Sequence, residues 1–280
     1  MRWQGGRQSG NIEDRRGRGG YGTVGGIGAV GVVAVLIGVF VFGEDPGVMI
    51  NAVNNAGQTD AAKGPTADEA GRFVGAVETS TTDVWTPLFR QFGKTYEPTA
   101  GMVLYDGATP TGCGPGQAAM GPFYCPADRK VYLDLTFWNE LESRFGAAGD
   151  FARAYVIAHE IGHHVQNLRG ELSAPHGLRA QGDGGGQVRI ELQADCYAGV
   201  WAARTGAATA GEVDLEEGDI AEGLAAASAV GDDTIQRKTQ GRVVPDAFTH
   251  GTSDQRMRWF RRGYETGDPG QCDTFRAPAL

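Results

Sequence analysis

The stretch Phe151-Ala-Arg-Ala-Tyr-Val-Ile-Ala-His159-Glu160-Ile-Gly-His163-His164-Val-Gln-Asn-Leu168 constrains the chain most. Its apolar residues recur at helical spacing (Phe151, Ala154, Tyr155, Ala158, Val165, Leu168), and the His-Glu-x-x-His pattern lies within that period. Residues four apart share a face of a helix, so His159 and His163 can offer two imidazoles to one Zn²⁺. Glu160, about 100° away on the helix, is placed to reach a water on the open side of the metal. The competing reading is a helix whose histidines face solvent.

A catalytic zinc takes three protein ligands, and the location of the third separates the alternatives. A metzincin would place Gly and His at fixed offsets after the second histidine. Gln166 and Arg169 stand there, which excludes that branch. A second helical stretch carries Glu191-Leu-Gln-Ala-Asp195, with Ile190, Ala194, Tyr197 and Trp201 as its apolar stripe. Glu191 as third ligand gives a His₂Glu set. Asp195, one turn later, can accept the second ring N–H of a ligand histidine. Taken alone, a Glu-x-x-x-Asp edge would be a solvated helix face. His164 projects away from the metal face and His176 sits in a Pro/Gly loop, so neither is expected to be a ligand.

Around these helices, strands are expected at Met102–Tyr105, 123–125 and Val131–Leu135, the last two joined as a hairpin through Pro126-Ala-Asp-Arg-Lys. Asp68 can cap a helix carrying Phe73, Val77, Trp85, Leu88 and Phe89. Further helices are expected at 136–146, 188–205, 214–230 and 253–265. Strands first and helices later predict an α+β fold with a small, mostly antiparallel sheet. One edge of the hairpin, Val131–Leu135 or 122–125, could receive an extended peptide. The long Gly/Pro loop from Arg169 to Gln187 can wall the cleft or be merely mobile.

Charge-free residues 24–42 end at Gly43-Glu44-Asp45-Pro46 and at ~1.5 Å per residue reach about 28 Å, enough to span a bilayer. Five arginines precede the run. The positive-inside rule then predicts a cytoplasmic basic tail at 1–23, an anchor at 24–43, a linker at 44–68 and a periplasmic or extracellular catalytic domain at 69–280. A cleaved signal peptide and a buried core helix are the alternatives. The net charge of −9, despite the arginine-rich start, argues against nucleic acid as a partner. Cys113, Cys125, Cys196 and Cys272 all follow the apolar run, an even number that an exported domain can pair. Of the three possible pairings, Cys113–Cys125 would close the loop leading into the hairpin, and Cys196–Cys272 would tie the C-terminus to the helix bearing Asp195.

His159-Glu160-Ile-Gly-His163 followed by Glu191-Leu-Gln-Ala-Asp195, with Gly-Pro-Phe-Tyr-Cys125-Pro, Val131-Tyr-Leu-Asp-Leu135 and His250-Gly-Thr-Ser-Asp-Gln-Arg-Met-Arg-Trp-Phe260, resembles the bacterial neutral zinc metallopeptidases, membrane-anchored proteins similar to gluzincins. The resemblance implies a zincin-like domain, Zn²⁺ and hydrolysis of peptide or protein substrates with Glu160 as general base. His250, opening a capped segment, resembles the late histidine that gluzincins place across the cleft; a plain surface histidine is the other reading. A membrane-anchored zinc-binding scaffold without activity is the alternative function.

Overall fold

The computed structural model describes residues 1–17, 63–173, 182 and 184–280. In chain order the elements are β1 (Ile12–Asp14), α1 (Glu69–Gln91), β2 (Gly101–Tyr105), β3 (Ala108–Thr111), β4 (Gly114–Gln117), β5 (Phe123–Cys125), β6 (Lys130–Asp134) and α2 (Phe137–Ser143). Then come α3 (Asp150–Arg169), α4 (Gly186–Ala208), α5 (Asp219–Ala229), α6 (Asp232–Gln240) and α7 (Ser253–Thr266). Asp68 caps α1 as expected, its carboxylate accepting from the Gly71 N–H at 2.9 Å.

The α+β reading holds, but the main sheet is mixed. Its order is β1-β2-β6-β5: β1 and β6 both run parallel to β2, and only β5 runs antiparallel, against β6. The physical reason is connectivity. α1 lies in the crossover between β1 and β2, and β5 takes the return direction between β2 and β6, which leaves β2 and β6 co-directional. β2 and most of β6 are buried, so Met102-Val-Leu-Tyr and Val131-Tyr-Leu read as continuous apolar runs. The expected 123–125/131–135 hairpin forms, with Phe123 opposite Tyr132. A separate antiparallel hairpin, β3–β4, is fastened to β5 by the Cys113–Cys125 disulfide. Cys196 and Cys272 form the second disulfide.

The expected single-pass topology is corrected. Its basic tail was to lie across a membrane from the catalytic domain, yet residues 1–14 are part of that domain. Ile12–Asp14 pair with Met102–Leu104 as an edge strand. Trp3 is buried edge-on against Phe73 and donates its indole N–H to Asp150 at 2.9 Å. Glu13, fully buried, accepts from Lys130 and Arg15 at 2.8 Å each. Such a buried carboxylate is tolerated only because both cations are folded onto it. Among the described residues no helix is long and apolar enough to cross a membrane. The run expected to span, 24–43, lies outside the described residues, as does most of the 44–68 linker.

α3 is the central helix. Residues on nearly all its sides are buried, and it packs against α1, α4, α5 and β5. Gly149 and the left-handed Gly170 (φ +79°) bound it. At Gly162 a Cβ would meet the Ala194 carbonyl oxygen at 2.9 Å, so α3 and α4 cross at contact distance between the two histidines of one helix and the acids of the other. A second close crossing joins α4 to α7, where a Cβ at Gly263 would overlap the Cys196 carbonyl. The first crossing brings His159 and His163 to Glu191; the second brings α7 against Asp195.

Candidate metal centre

On α3, His159 and His163 present their rings 4.8 Å apart, edge to face. Glu191 on α4 meets both: its Oε2 lies 3.2 Å from His159 Nε2 and 3.5 Å from His163 Nε2. One ligand atom from each of the three residues falls within 4.8 Å of the others, and among the described residues this is the His/Cys/Asp/Glu group able to hold a metal ion.

The tautomers follow from what each Nδ1 faces. His159 Nδ1–H donates to Asp195 Oδ1 at 2.8 Å, and His163 Nδ1–H donates to Gln166 Oε1 at 2.8 Å. In the neutral imidazoles both Nε2 lone pairs then aim at Glu191, a carboxylate that can only accept. Three acceptors facing one point require a cation there, a proton or a metal. The electrostatics of the three side chains express that demand. Burial opposes charge on His159, but Asp195 and Glu191 outweigh it and push the pKa up to about 9. His163 is raised, burial being outweighed by Glu191, and Glu191 is held well below the carboxylate range by His163 and His159 against its own burial.

A family model described as "Putative neutral zinc metallopeptidase" matches residues 1–275. This chain belongs to that family. It is 47% identical to the uncharacterized protein YpfJ of Escherichia coli strain K12, over 98% of this chain and 99% of that protein. An uncharacterized Mycobacterium tuberculosis protein, Rv2575, is 47% identical over 79% of this chain and 77% of its own length. No solved structure matches the chain.

Zn²⁺ is the cofactor this zinc metallopeptidase family implies, and the residues present fit it. Tetrahedral zinc with bonds of about 2.0–2.2 Å holds its ligand atoms roughly 3.3–3.5 Å apart. The two nitrogen-to-carboxylate distances here, 3.2 and 3.5 Å, are close to that spacing.

Around the ligands stands a shell that sequence reasoning found only in part. Asp195 accepts from His159 Nδ1–H, and its other lone pairs are filled. Tyr155 Oη–H donates to its Oδ1 at 2.5 Å, and Arg256 grips both oxygens, through Nε and Nη2, at 2.8 Å each. Burial would raise the Asp195 pKa, but Arg256 and His159 hold it well below the ordinary carboxylate range. Arg256 was overlooked although its register gives it away. It shares the stripe of Phe260 and Gly263 on α7, and a cation on a buried stripe needs an acid partner.

Glu160 is buried at the wall of a ≈ 290 Å³ cavity that His159, His250, Arg256 and Tyr155 also line. Burial raises its pKa, tempered by the nearby histidines and by an N–H donated from the Tyr124 main chain. His250 reaches the same cavity and is held by Asp232, whose Oδ1 accepts from His250 Nδ1–H at 3.1 Å. The Asp232 carboxylate also collects the main-chain N–H groups of Thr249, His250 and Gly251. Partial desolvation pulls the half-exposed His250 down, yet Asp232 and Glu191 leave its pKa raised.

His164 is fully buried away from the ligand face. Its Nε2–H donates to the Glu97 carbonyl at 2.7 Å, and its Nδ1 accepts from the Tyr124 hydroxyl at 3.0 Å. His176 and most of the Arg169–Gln187 loop lie outside the described residues.

Proposed function

We propose that this protein is a zinc-dependent endopeptidase in which His159, His163 and Glu191 hold the metal and Glu160 is the general base. One observation carries the reading: two Nε2 lone pairs and a carboxylate converge on one point, and a buried glutamate beside them faces an open cavity. Bound there, Zn²⁺ supplies Lewis acidity, polarising a peptide carbonyl and lowering the pKa of water toward about 7. Glu160 takes the proton of the attacking water and hands it to the leaving amine. Burial raises the Glu160 pKa, the direction that suits a group that takes a proton and then releases it. His250, held by Asp232, donates across the cavity to the oxyanion as it forms. Asp195, fixed by Arg256 and Tyr155, keeps the His159 Nε2 lone pair on the metal side.

The substrate side is legible as well. β5 is the outer strand of the sheet and borders Glu160, so its free edge suits an extended peptide; β6, the other candidate, is interior between β2 and β5. Val156, Phe137, Phe145, Val230 and Ile235 wall the cavity, which favours a large apolar side chain next to the scissile bond.

The deciding experiment compares full-length wild type with Glu160→Gln for zinc content and for digestion of a peptide library. Wild type should bind zinc and cleave; the variant should bind zinc and lose about 10²–10⁴-fold in rate. Cleavage that persists in Glu160→Gln overturns the role of Glu160, and a zinc-loaded wild type that cleaves nothing leaves the scaffold reading standing.

A further inference from the structure

Three residues of the C-terminal segment, none of them a ligand, grip the start of the helix that bears Glu191. Cys272 is bonded to Cys196 of α4. Thr274 donates its hydroxyl to the Arg189 carbonyl at 2.6 Å and accepts the Arg189 guanidinium on its own carbonyl, while Ala277 accepts the same guanidinium at 3.2 Å. Between them, Gln193 donates Nε2–H to the Cys272 carbonyl at 3.1 Å.

That last contact starts a chain of forced choices. A main-chain carbonyl only accepts, so the Gln193 amide nitrogen must face Cys272 and its Oε1 must face Gln166. Gln166 Nε2 accordingly donates to Gln193 Oε1 at 2.9 Å and to the Ile190 carbonyl at 2.7 Å, which uses both of its N–H groups. Its Oε1 is left for His163 Nδ1 at 2.8 Å, which must then carry the proton. Gln166 is fully buried and Gln193 nearly so, leaving little room for water to substitute. Two backbone carbonyls thus dictate two amide orientations, and these dictate which nitrogen of His163 is bare.

We propose that Gln166 and Gln193 are positioning residues that fix His163 with Nε2 free for Zn²⁺, and that the disulfide-fastened C-terminal segment thereby sets how tightly the metal is held. This rests on the reading of His163 as a zinc ligand. Asp195 performs the equivalent task for His159 with a charge; at His163 a neutral relay performs it, and the relay works only while the segment carrying Cys272 stays docked.

The test measures the dissociation constant of Zn²⁺ by competition with a chromophoric chelator, using the full chain and its variants. Gln166→Met should weaken binding about 10–100-fold, the usual cost of losing an outer-shell partner. Gln193→Leu and the pair Cys196→Ala/Cys272→Ala should each weaken it several-fold. Because the links act in series, adding Gln193→Leu to Gln166→Met should cost no more than Gln166→Met alone. Nitrogen-15 NMR of the zinc-loaded wild type should show His163 protonated at Nδ1, a readout that survives if a variant fails to fold. Binding within about threefold of wild type in Gln166→Met, additive losses, or a zinc-loaded His163 without a proton on Nδ1 would overturn the relay. Wild type that binds no zinc would instead overturn the ligand reading, and the relay with it.

Discussion

Replacing His164 by Gln isolates one buried imidazole behind the site, and the consequence can be worked through in numbers. His164 is fully buried, and desolvation drops its pKa from 6.5 to about 4. The folded state therefore binds fewer protons than the unfolded chain between those two values, so stability is fully present above pH 6.5 and is lost as the pH falls toward 4. Linkage gives a loss of about 2 kcal/mol at pH 5 and about 3 kcal/mol once both values are passed. Glutamine supplies a donor for the Glu97 carbonyl and an acceptor for the Tyr124 hydroxyl but does not titrate. Urea unfolding of both proteins at pH 7 and pH 5 reads the difference. The midpoint of wild type should fall by roughly 1 M more than that of His164→Gln, at a slope of about 2 kcal/mol per M. Loss of zinc on acidification affects both proteins and cancels in the comparison. Equal losses in the two would show that His164 is not held neutral in the folded protein.

Other outcomes follow from neighbouring features. Asp195→Asn leaves the buried Arg256 guanidinium without its carboxylate, and should cost about 3–5 kcal/mol in stability in addition to weakening zinc binding, measured by calorimetry and metal analysis. Ile235→Asp places a charge in the apolar wall of the cavity; kcat/KM for peptides with a large apolar residue after the scissile bond should drop more than tenfold, while zinc content stays at wild-type level. Opening Cys196–Cys272, whose cysteines are 76 residues apart, should lower stability by about 4 kcal/mol, against about 3 kcal/mol for Cys113–Cys125 with a separation of 12. Equal effects of the two would contradict the loop-length argument.

The helices that carry the ligands were legible because their patterns are long. The stretch expected at 150–168 is α3 at Asp150–Arg169, and that expected at 188–205 is α4 at Gly186–Ala208. β1 was not legible: Ile12-Glu-Asp offers one apolar residue among arginines, and its burial depends on Lys130, distant in sequence, neutralising Glu13. α6 escaped because Ile235 is the one large apolar residue in Asp232–Gln240. Asp232 escaped for a related reason. Nothing in the spacing ties it to His250; the link exists only once α6 and the turn before α7 are folded together. Sequence periodicity reports faces of single elements, whereas the outer shell of this site is made where two or three elements meet.

The edge strand at the N-terminus also sets the order of events during synthesis. Ile12 leaves the ribosome before its partner Met102, which follows only after roughly 5–20 s at about 5–20 residues per second. Until then Ile12 has no strand to pair with. β6, which carries the cation for Glu13, emerges later still. β1 is thus made well before it can be placed, and a nascent chain stalled before β6 would display an unpaired β2 edge, a template for wrong strand pairing.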